Sequence, residues 1–475
     1  MRATKIVATL GPASSQPETI ANLIKAGANV FRLNFSHGTQ DSHRETIARI
    51  RAASKELGMD VAILQDLCGP KVRVGMMQNG AVQLKDGDEA IVTTEEVLGT
   101  AEKFQTQYEA LPRDVKTGAH IMLDDGQLEL EVLDVNGHEI KTKVIRGGLL
   151  KNNKGMNLPG VDVSAPSVTE KDMNDLKVGI AEGVDFVALS FIRRPEDMNP
   201  VREALANAYS RARLIAKIEK PEAIDRIEEI VRHSDGIMVA RGDLGIEMPL
   251  PRVPMLQKHL IHLANAMDRY VITATQMLES MTTNAIPTRA EVSDVANAIV
   301  DGTDAVMLSG ETAAGVNPVG VVRMMSSIAL ETEKYLKQYR PPWNWSSLLS
   351  NENPMLDALG HAAMKLVDEL GNIKAVVVHT QTGGTALFMS KARPFVPIVA
   401  FTPEAGAVRR LSLYWGVSSV HAPGITTRAE LHVSASKWLL KNGIAKAGDK
   451  MLMIYGTNFR EVGAADAITV AEVDG

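Results

Sequence analysis

One lysine and two carboxylates, at the ends of two predicted strands, are the residues of this sequence best suited to chemistry. Lys217 and Glu219 end the run RLIAKIE two residues apart, which is one face of a strand, and Asp243 lies near the end of the next run, GIMVARGDL. Glu219 and Asp243 offer hard oxygen ligands that suit Mg²⁺ or Mn²⁺ and leave positions for water and a substrate oxygen. Lys217 would add a fixed positive charge where negative charge develops on a phosphoryl or enolate oxygen.

Polar side chains end other strand-like runs as well. Arg32, in NVFRLNF, and Arg73, shortly after VAILQDL, carry forked donors that suit phosphate, and the Thr275 hydroxyl could orient a water molecule or relay a proton. The remaining polar strand ends are Asn34, Ser36, Asp66, Arg241, Thr273, Ser309 and Glu311. We expect them to converge on one site that suits phosphoryl transfer involving a small anionic carboxylate. The sequence has no Walker-type GxxxxGK loop, no hydride-acceptor motif and no Cys/His nucleophile arrangement.

Each of these residues also has a structural explanation. Lys217 and Glu219 could form an ion pair inside the fold, Asp243 could cap the turn that follows it, and Arg32 could satisfy backbone groups at a strand end. Polar groups on inward positions are costly without partners. Because the structural explanations require unrelated accidents on adjacent strand ends, we favour a shared site.

The elements that must position these side chains form a repeated pattern. Between residues 4 and 312, a short apolar run and then a helix-length segment of 3.6-residue period recur eight times. The apolar runs are TKIVATL, NVFRLNF, VAILQDL, VDFVALSF, RLIAKIE, GIMVARGDL, YVITATQ and AVMLSGET. Eight such units with right-handed crossovers predict a (β/α)₈ TIM barrel, an α/β fold whose functional groups lie at the carboxyl ends of the strands. A doubly wound open sheet is the alternative.

Breaks in this pattern predict three domains. Residues 1–68 and 167–338 form the catalytic barrel, and residues 69–166 form an inserted small β-barrel lid domain after strand 3. The insertion lacks helical periodicity. Its runs of alternating apolar and polar residues, separated by Asp-Gly or Asn-Gly turns, predict antiparallel strands. After about Tyr339 the segment RPPWNWSSLLSNENP is predicted to be a linker. Residues 339–475 alternate helices and strands and predict a C-terminal open α/β domain.

Composition excludes several classes of protein. The 475 residues carry 51 Lys plus Arg against 57 Asp plus Glu, a net charge of −6, so the basic excess needed for nonspecific nucleic-acid binding is absent. The single cysteine, Cys68, excludes an intramolecular disulfide and predicts an intracellular, cytoplasmic protein. No run approaches eighteen consecutive apolar residues and the N-terminus lacks signal-peptide features, so we expect no membrane contact.

Long runs of the sequence resemble pyruvate kinases. They are KIVATLGPAS, FRLNFSHG, DLCGPKVRVG, KGMNLPG, LIAKIEKPEAI, IMVARGDLGIE, ATQMLESM and PTRAEVSDVANAIVDGTDAVMLSGETA. The likeness extends through the insertion and the C-terminal domain. It implies transfer of the phosphoryl group of phosphoenolpyruvate to ADP, giving pyruvate and ATP in the last step of glycolysis. It also implies a divalent cation, Mg²⁺ or Mn²⁺, a phosphorylated allosteric activator and a homotetramer.

The resemblance assigns roles residue by residue. The family's catalytic lysine matches Lys217, its metal-binding carboxylates match Glu219 and Asp243, and Thr275 matches a residue near the protonation step. The residues that match substrate contacts are Arg32, Lys217, Gly242, Asp243 and Thr275. The residues that match nucleotide contacts are Asn34, His37, Arg73 and Lys154. Lys154 is expected to arrive from the inserted domain as that domain closes.

One position departs from much of the family. Many relatives bind K⁺ through groups that match Asn34, Ser36, Asp66 and the carbonyl of Leu67, and they have glutamate where this chain has Lys71. Family members with lysine there resemble K⁺-independent enzymes. The resemblance therefore implies that the Lys71 ammonium replaces K⁺ and that activity does not require it.

The loop HTQTGGTA, which begins at His379, could cradle a phosphate at a helix N-terminus or could be a plain glycine turn. In the family the matching loop holds the phosphate of an allosteric activator. The matching residues are Thr380, Thr382, Gly383, Gly384 and Thr385. The stretch YGTNFREVGAADAIT lacks the tryptophan found in fructose-bisphosphate-responsive animal forms, so a sugar monophosphate, AMP and a bisphosphate all stay open as effectors.

Two other classes of function stay open. A metal-dependent lyase or aldolase acting on pyruvate or oxaloacetate also uses carboxylates at a barrel mouth, and a Schiff-base aldolase could use Lys217. Neither needs nucleotide contacts such as Arg73 and Lys154. A non-enzymatic metabolite sensor is disfavoured because a competent residue occupies every matched catalytic position.

Overall fold

A closed barrel of eight parallel strands is the largest unit of the structure, a computed structural model that describes residues 1–339, 354–463 and 465–475. Numbered in chain order, its strands are β1 (Lys5–Thr9), β2 (Val30–Asn34), β3 (Ala62–Leu67), β12 (Phe186–Leu189), β13 (Arg213–Ile218), β14 (Gly236–Ala240), β15 (Tyr270–Ala274) and β16 (Ala305–Leu308). Each strand lies within one of the eight apolar runs. The prediction of a (β/α)₈ barrel is confirmed.

Helices surround the barrel strands. They are α1 (Pro17–Ala26), α2 (Gln40–Leu57), α4 (Glu170–Ala181), α5 (Asn199–Asn207), α6 (Pro221–Asp225), α7 (Ile227–His233), α8 (Arg241–Glu247), α9 (Val253–Ala266), α10 (Arg289–Val300), α11 (Gly310–Ala313) and α12 (Pro318–Tyr339). The sequence did not predict α8, because the short segment RGDLGIE was interpreted as a turn. In the described ranges, no helix combines the length and apolarity needed to cross a membrane.

Aromatic side chains close the amino end of the barrel. The Tyr270 ring lies 5.6 Å from the Phe186 ring and 6.0 Å from the Tyr414 ring of the C-terminal domain. Gly236 makes room for Tyr270, because a Cβ at this glycine would lie 2.1 Å from Tyr270 Cδ2. The amino end is therefore filled, and only the carboxyl ends of the strands are left to form a site.

The insertion after β3 consists of two sheets around one apolar core. Its elements are β4 (Ala81–Leu84), β5 (Glu89–Thr93), β6 (Lys103–Gln105), α3 (Leu111–Asp114), β7 (His120–Leu123), β8 (Leu128–Asn136), β9 (Glu139–Arg146), β10 (Gly148–Lys151) and β11 (Met156–Asn157). One sheet pairs β10 with β4, and the other has the order β11-β7-β8-β9-β5-β6. The sequence predicted an antiparallel arrangement throughout the insertion. The structure differs at one pair, because β5 and β6 are parallel.

The C-terminal part is an open α/β sheet of order β19-β18-β17-β20-β21. Its elements are α13 (Pro354–Leu370), β17 (Ile373–His379), α14 (Gly384–Ala392), β18 (Ile398–Thr402), α15 (Ala405–Arg410), β19 (Val417–His421), α16 (Arg428–Lys441), β20 (Lys450–Gly456) and β21 (Ala465–Glu472). The edge strand β21, antiparallel to β20, was not predicted. The predicted linker falls almost entirely on residues 340–353, which lie outside the described ranges.

Buried ion pairs attach the C-terminal sheet to the barrel. Lys391, at the end of α14, places Nζ 2.5 Å from Asp304 Oδ2, and Arg393 Nη2 lies 2.6 Å from Asp304 Oδ1. Burial lowers the pKa of Lys391 to about 8, although Asp304 acts in the opposite direction. Asp304 directly precedes β16, so α14 is fixed to the start of a barrel strand.

Candidate active site

Lys217 lies at the centre of a buried charged cluster at the carboxyl end of the barrel strands. Its Nζ is 2.9 Å from Glu219 Oε1 and 3.4 Å from Asp66 Oδ1, and it donates a hydrogen bond of 2.7 Å to Ser190 Oγ. Burial alone would lower the pKa of Lys217, but Asp66 and Glu219 raise it above its ordinary value. At neutral pH the side chain is therefore an ammonium ion.

Arg32 extends the cluster on the side of β2. Its Nε donates to Asp66 Oδ2 at 2.6 Å, and its Nη1 donates to Thr9 Oγ1 at 3.1 Å. Burial would raise the pKa of Asp66, but Lys217 and Arg32 together lower it below its ordinary value. Asp66 is thus a carboxylate shared by two cations, and it orients both.

Glu219 and Asp243 form an acidic pair beside the ammonium. Glu219 accepts a hydrogen bond of 2.7 Å from Phe191 N. Burial raises the pKa of Glu219 to about 7, with Lys217 acting against the rise and Asp243 adding to it. Two neighbouring carboxylates, the buried Glu219 and the half-buried Asp243, suit a divalent cation, which would neutralise their charge.

The acidic pair would leave most coordination positions of such a cation to other molecules. In the part of the chain that the structure describes, no group of three or more His, Cys, Asp or Glu side chains is placed to hold a metal ion. Mg²⁺ commonly binds one or two carboxylates and retains water or substrate oxygens. The residues present fit this pattern.

Thr275, directly after β15, has an unusual backbone conformation. Its φ of 67° is rare for a β-branched residue. Its Oγ1 accepts a hydrogen bond of 2.7 Å from Gly242 N and donates one of 2.7 Å to Ala274 O. Such strain persists only where neighbouring contacts hold it and is frequent in active sites. The structure therefore places the Thr275 hydroxyl beside the residue that precedes Asp243.

Several of the predicted nucleotide contacts lie together next to Arg32. His37 N donates a hydrogen bond of 3.2 Å to Asn34 O. Burial lowers the pKa of His37, and the charges of Lys71, Arg73 and Arg32 lower it further. His37 is therefore a neutral imidazole at pH 7, close to three cations that suit polyphosphate.

Lys154 is paired inside the insertion. Its Nζ lies 2.7 Å from Asp124 Oδ1. Asp124 and Asp125 have φ of 51° and 54°, so the turn between β7 and β8 contains two consecutive left-handed residues. In this conformation the Lys154 charge is neutralised by Asp124, and its role as a nucleotide contact stays a prediction.

Glu247 connects the insertion to the barrel. Its Oε1 accepts hydrogen bonds from Lys220 Nζ at 2.7 Å and from Asn157 Nδ2, in β11, at 3.0 Å. Arg193 Nη2 donates to Ala165 O at 2.7 Å, where the chain returns to the barrel. The cleft between the two units is lined by Lys71, Asp125, Gly155, Asn157, Arg193, Lys220 and Asp243, among others. Asp243 of the acidic pair thus lines the cleft that faces the inserted domain.

Comparison with known proteins identifies the family. The model described as "Pyruvate kinase, barrel domain" matches residues 1–322, and "Pyruvate kinase, alpha/beta domain" matches residues 357–471. The chain belongs to the pyruvate kinase family. It is accordingly an enzyme, a glycolytic kinase. The pyruvate kinase of Geobacillus stearothermophilus is 46% identical over an aligned length of 476 positions, which covers 99% of this chain and 80% of that protein.

Other pyruvate kinases agree in sequence and in structure. The enzyme of Staphylococcus aureus strain MRSA252 is 46% identical over 481 residues, covering 99% of this chain and 80% of that protein. The crystal structure of a pyruvate kinase from Cryptosporidium parvum superposes with a TM-score of 0.92 at 33% identity, covering 99% of this chain and 96% of that one. The barrel and the C-terminal sheet described above are therefore those of the family.

Three of the groups predicted from the resemblance to match K⁺ ligands contact protein donors here: Asn34 Oδ1, Asp66 Oδ2 and Leu67 O. Asn34 Oδ1 accepts a hydrogen bond of 3.1 Å from Ser36 N, and Leu67 O accepts one of 2.8 Å from Ser190 Oγ. Both carboxylate oxygens of Asp66 lie near cations, as described above. Internal donors and cations are therefore already present on this set of oxygens.

The loop predicted from the resemblance to hold an effector phosphate precedes α14. Gly383 has φ of 105°, and its N–H donates to Thr380 Oγ1 at 3.0 Å. The adjoining cavity of about 90 Å³ is lined by Thr380, Thr382, Gly384 and Thr385, together with residues of the C-terminal stretch. The free amides of the first turn of α14 lie beside it, which suits an anion.

Not every polar strand end contributes to the charged cluster. Thr273 Oγ1 bonds Thr303 Oγ1 at 2.9 Å, inside the barrel. Glu311 accepts hydrogen bonds from Ser309 N at 2.7 Å and from Leu278 N at 3.1 Å. The expectation that all strand ends converge on one site is therefore wrong for these residues, because their polar groups are used by nearby backbone and side-chain groups.

Sequence reasoning also missed residues that the structure brings to the site. Ser190 links Lys217 to the β3 strand end, and its position at the end of the run VDFVALSF was the available signal. No comparable pattern in the sequence indicates the hydrogen bonds of Glu247 with Lys220 and Asn157. These bonds join segments that lie far apart in the chain.

Proposed function

We propose that this pyruvate kinase family member transfers the phosphoryl group of phosphoenolpyruvate to ADP. The observation that carries the proposal is the buried Lys217 ammonium, held between Asp66 and Glu219 at the barrel mouth. In the reaction the bond between phosphorus and the enol oxygen breaks, and a bond from phosphorus to a β-phosphate oxygen of ADP forms. The resulting enolate gains a proton on carbon and becomes pyruvate.

Positively charged groups of this chain have the main role in that step. We assign Arg32 to binding the phosphate of the substrate, and Lys217 to compensating the negative charge on the phosphoryl group and the enolate oxygen. Glu219 and Asp243 would hold the divalent cation. When bound, Mg²⁺ or Mn²⁺ supplies further positive charge to the substrate oxygens.

Two further sets of residues complete the proposed site. Gly242 and Thr275 border the substrate, and the Thr275 hydroxyl is assigned to the protonation step, because its strained backbone fixes it beside Gly242. Asn34, His37, Arg73 and Lys154 are assigned to the nucleotide. Lys154 would first have to exchange Asp124 for a nucleotide phosphate.

A coupled assay on the purified chain tests the proposed reaction. With phosphoenolpyruvate and Mg²⁺ present, we expect pyruvate to form only after ADP is added, because ADP is the phosphoryl acceptor. ATP should appear in equal amount. Pyruvate released at the same rate without ADP would favour a lyase or hydrolase and would contradict the proposal.

We predict that activity does not require K⁺. Lys71 places an ammonium near His37, and the oxygens that match K⁺ ligands already have internal donors. At fixed ionic strength the rate in sodium or tetramethylammonium chloride should equal the rate in KCl. Lys71→Glu should lower the rate in sodium by about tenfold, equivalent to about 1.4 kcal/mol of barrier, with recovery in KCl.

Lys85→Glu, a charge reversal at an exposed position of the insertion, is the matched control and should leave the cation response unchanged. The prediction fails if the rate of the unmodified protein collapses in sodium or tetramethylammonium and recovers with KCl.

The remaining assignments of the family resemblance are part of the proposal. The loop from Thr380 to Thr385 would bind the phosphate of an allosteric activator, which the adjoining cavity and the first turn of α14 support. The protein would be a cytoplasmic homotetramer. Its catalytic barrel, inserted lid and effector domain would have the boundaries given by the sequence analysis.

A further inference from the structure

A second cavity, rich in arginine, lies between the barrel and the C-terminal domain on the side away from the charged cluster. It measures about 300 Å³. Its wall on the barrel side comes from α5 and the start of β13, and its other wall from the effector loop and α15. The polar residues that line it are Arg202, Ser210, Arg211, Arg213, Asp235, Thr382 and Arg410.

The charges around this cavity do not cancel. Arg213 Nη1 lies 2.9 Å from Asp235 Oδ1, so these two side chains form one neutral pair. Glu404 forms ion pairs with two arginines. Its Oε2 lies 2.6 Å from Arg211 Nη1, and its Oε1 lies 3.2 Å from Arg410 Nη2. With Arg202, four guanidinium groups face two carboxylates, and two positive charges are left over.

Donors of these side chains are available for a ligand. Arg410 is 5% exposed, and its Nε finds no hydrogen-bond partner among the described residues, which is costly for a buried donor. Nη2 of Arg202 donates a hydrogen bond to the carbonyl of His233. The hydroxyl groups of Ser210 and Thr382 also line the cavity.

We propose that this cavity binds the phosphate group of a small metabolite. A doubly charged phosphate matches the excess of two positive charges, and its three oxygens accept the forked hydrogen bonds that arginine offers. Arg202, Arg211 and Arg213 come from the barrel and Arg410 from the C-terminal domain. One bound phosphate would therefore contact both domains.

The cavity is distinct from the effector loop but touches it. Thr382 lines this cavity and also the cavity beside the first turn of α14, whereas Gly384 lines only the latter. A test must therefore block the loop site without changing the arginines. Gly384→Asp does this, because a Cβ at Gly384 would meet nothing within 4 Å and the new carboxylate repels anions from the loop.

Calorimetric titration of the Gly384→Asp protein tests the proposal. Inorganic phosphate and glycerol 3-phosphate are the two probes, and their relative affinities distinguish free phosphate from a phosphate ester as the ligand. We expect one saturable site per chain in addition to any binding of the probe at the proposed catalytic site. Adding Arg202→Ser and Arg211→Ser to this background should weaken binding of the preferred probe by about tenfold or more, because two charged donors are lost.

Arg428→Ser in the same background is the control, since Arg428 is an exposed arginine of the C-terminal domain outside the cavity, and it should leave binding unchanged. Arg202 and Arg211 are exposed and lie outside the charged cluster. We therefore expect the two serine substitutions to leave basal turnover and the melting temperature unchanged. These two measurements show whether the variant is correctly folded. Absence of binding to the Gly384→Asp protein, or equal binding with and without the two serines, would overturn the proposal. Neither result bears on the proposed reaction.

Discussion

Replacing Lys217 by methionine is expected to lower kcat by about a thousandfold, the loss typical of removing one preorganised group that stabilises developing negative charge. Methionine keeps much of the volume of the lysine stem but removes the ammonium that Asp66 and Glu219 hold in place. The KM for ADP should change little, because the assigned nucleotide contacts lie near His37. Steady-state kinetics at saturating Mg²⁺ measures both quantities.

Two variants control this experiment. Lys217→Arg keeps the positive charge but replaces the compact ammonium group by a planar guanidinium group, so we expect intermediate activity. Lys391→Met removes an equally buried lysine that is paired with Asp304 far from the barrel mouth, so it should change the melting temperature and leave kcat near that of the unmodified protein. Full turnover in Lys217→Met would remove the basis of the proposed mechanism and reopen the possibility of a metabolite sensor.

Glu219→Gln is expected to raise the Mg²⁺ concentration needed for half-maximal activity by about a hundredfold. Changes to groups that only orient metal ligands already cost ~10–100-fold in affinity, and here a charged ligand itself is lost. Glutamine still accepts the hydrogen bond from Phe191 N, so the backbone there should keep its conformation. Activity measured against Mg²⁺, and Mn²⁺ binding followed by electron paramagnetic resonance, give the two readouts.

Glu311→Gln is the matched variant for this change. Glu311 is also a buried carboxylate at a strand end that accepts backbone hydrogen bonds, but it contacts Ser309 and Leu278 and not the acidic pair. We expect lower thermal stability and an unchanged Mg²⁺ requirement. If Glu219→Gln showed the Mg²⁺ dependence of the unmodified protein, the assignment of the metal site would be wrong.

The barrel was predictable because its signals are local. Each of its strands coincides with a continuous apolar run, and Lys217 with Glu219 shows the two-residue spacing of one strand face. By contrast, α8 is a short helix of seven residues, and β21 is a partly exposed edge strand, so neither gives a strong periodic signal. Local patterns therefore suffice for buried strands and fail for short or partly exposed elements.

The partners within the site were harder to predict than its members. Asp66 was assigned to a cation region by resemblance, but its contacts with Arg32 and Lys217 arise from side chains of separate strands meeting at the barrel mouth. The pair between Lys154 and Asp124 likewise depends on a turn with two left-handed residues. Long-range geometry of this kind is not encoded in the spacing of residues along the chain.

Helix α14 connects the effector loop mechanically to the catalytic barrel. Its first turn borders the cavity beside the effector loop. At its other end, Lys391 and Arg393 form ion pairs with Asp304, the residue before β16. A helix of nine residues is a stiff rod about 13 Å long. If the first turn of this helix moved on binding a ligand, the ion pairs to Asp304 would couple that movement to the start of a barrel strand.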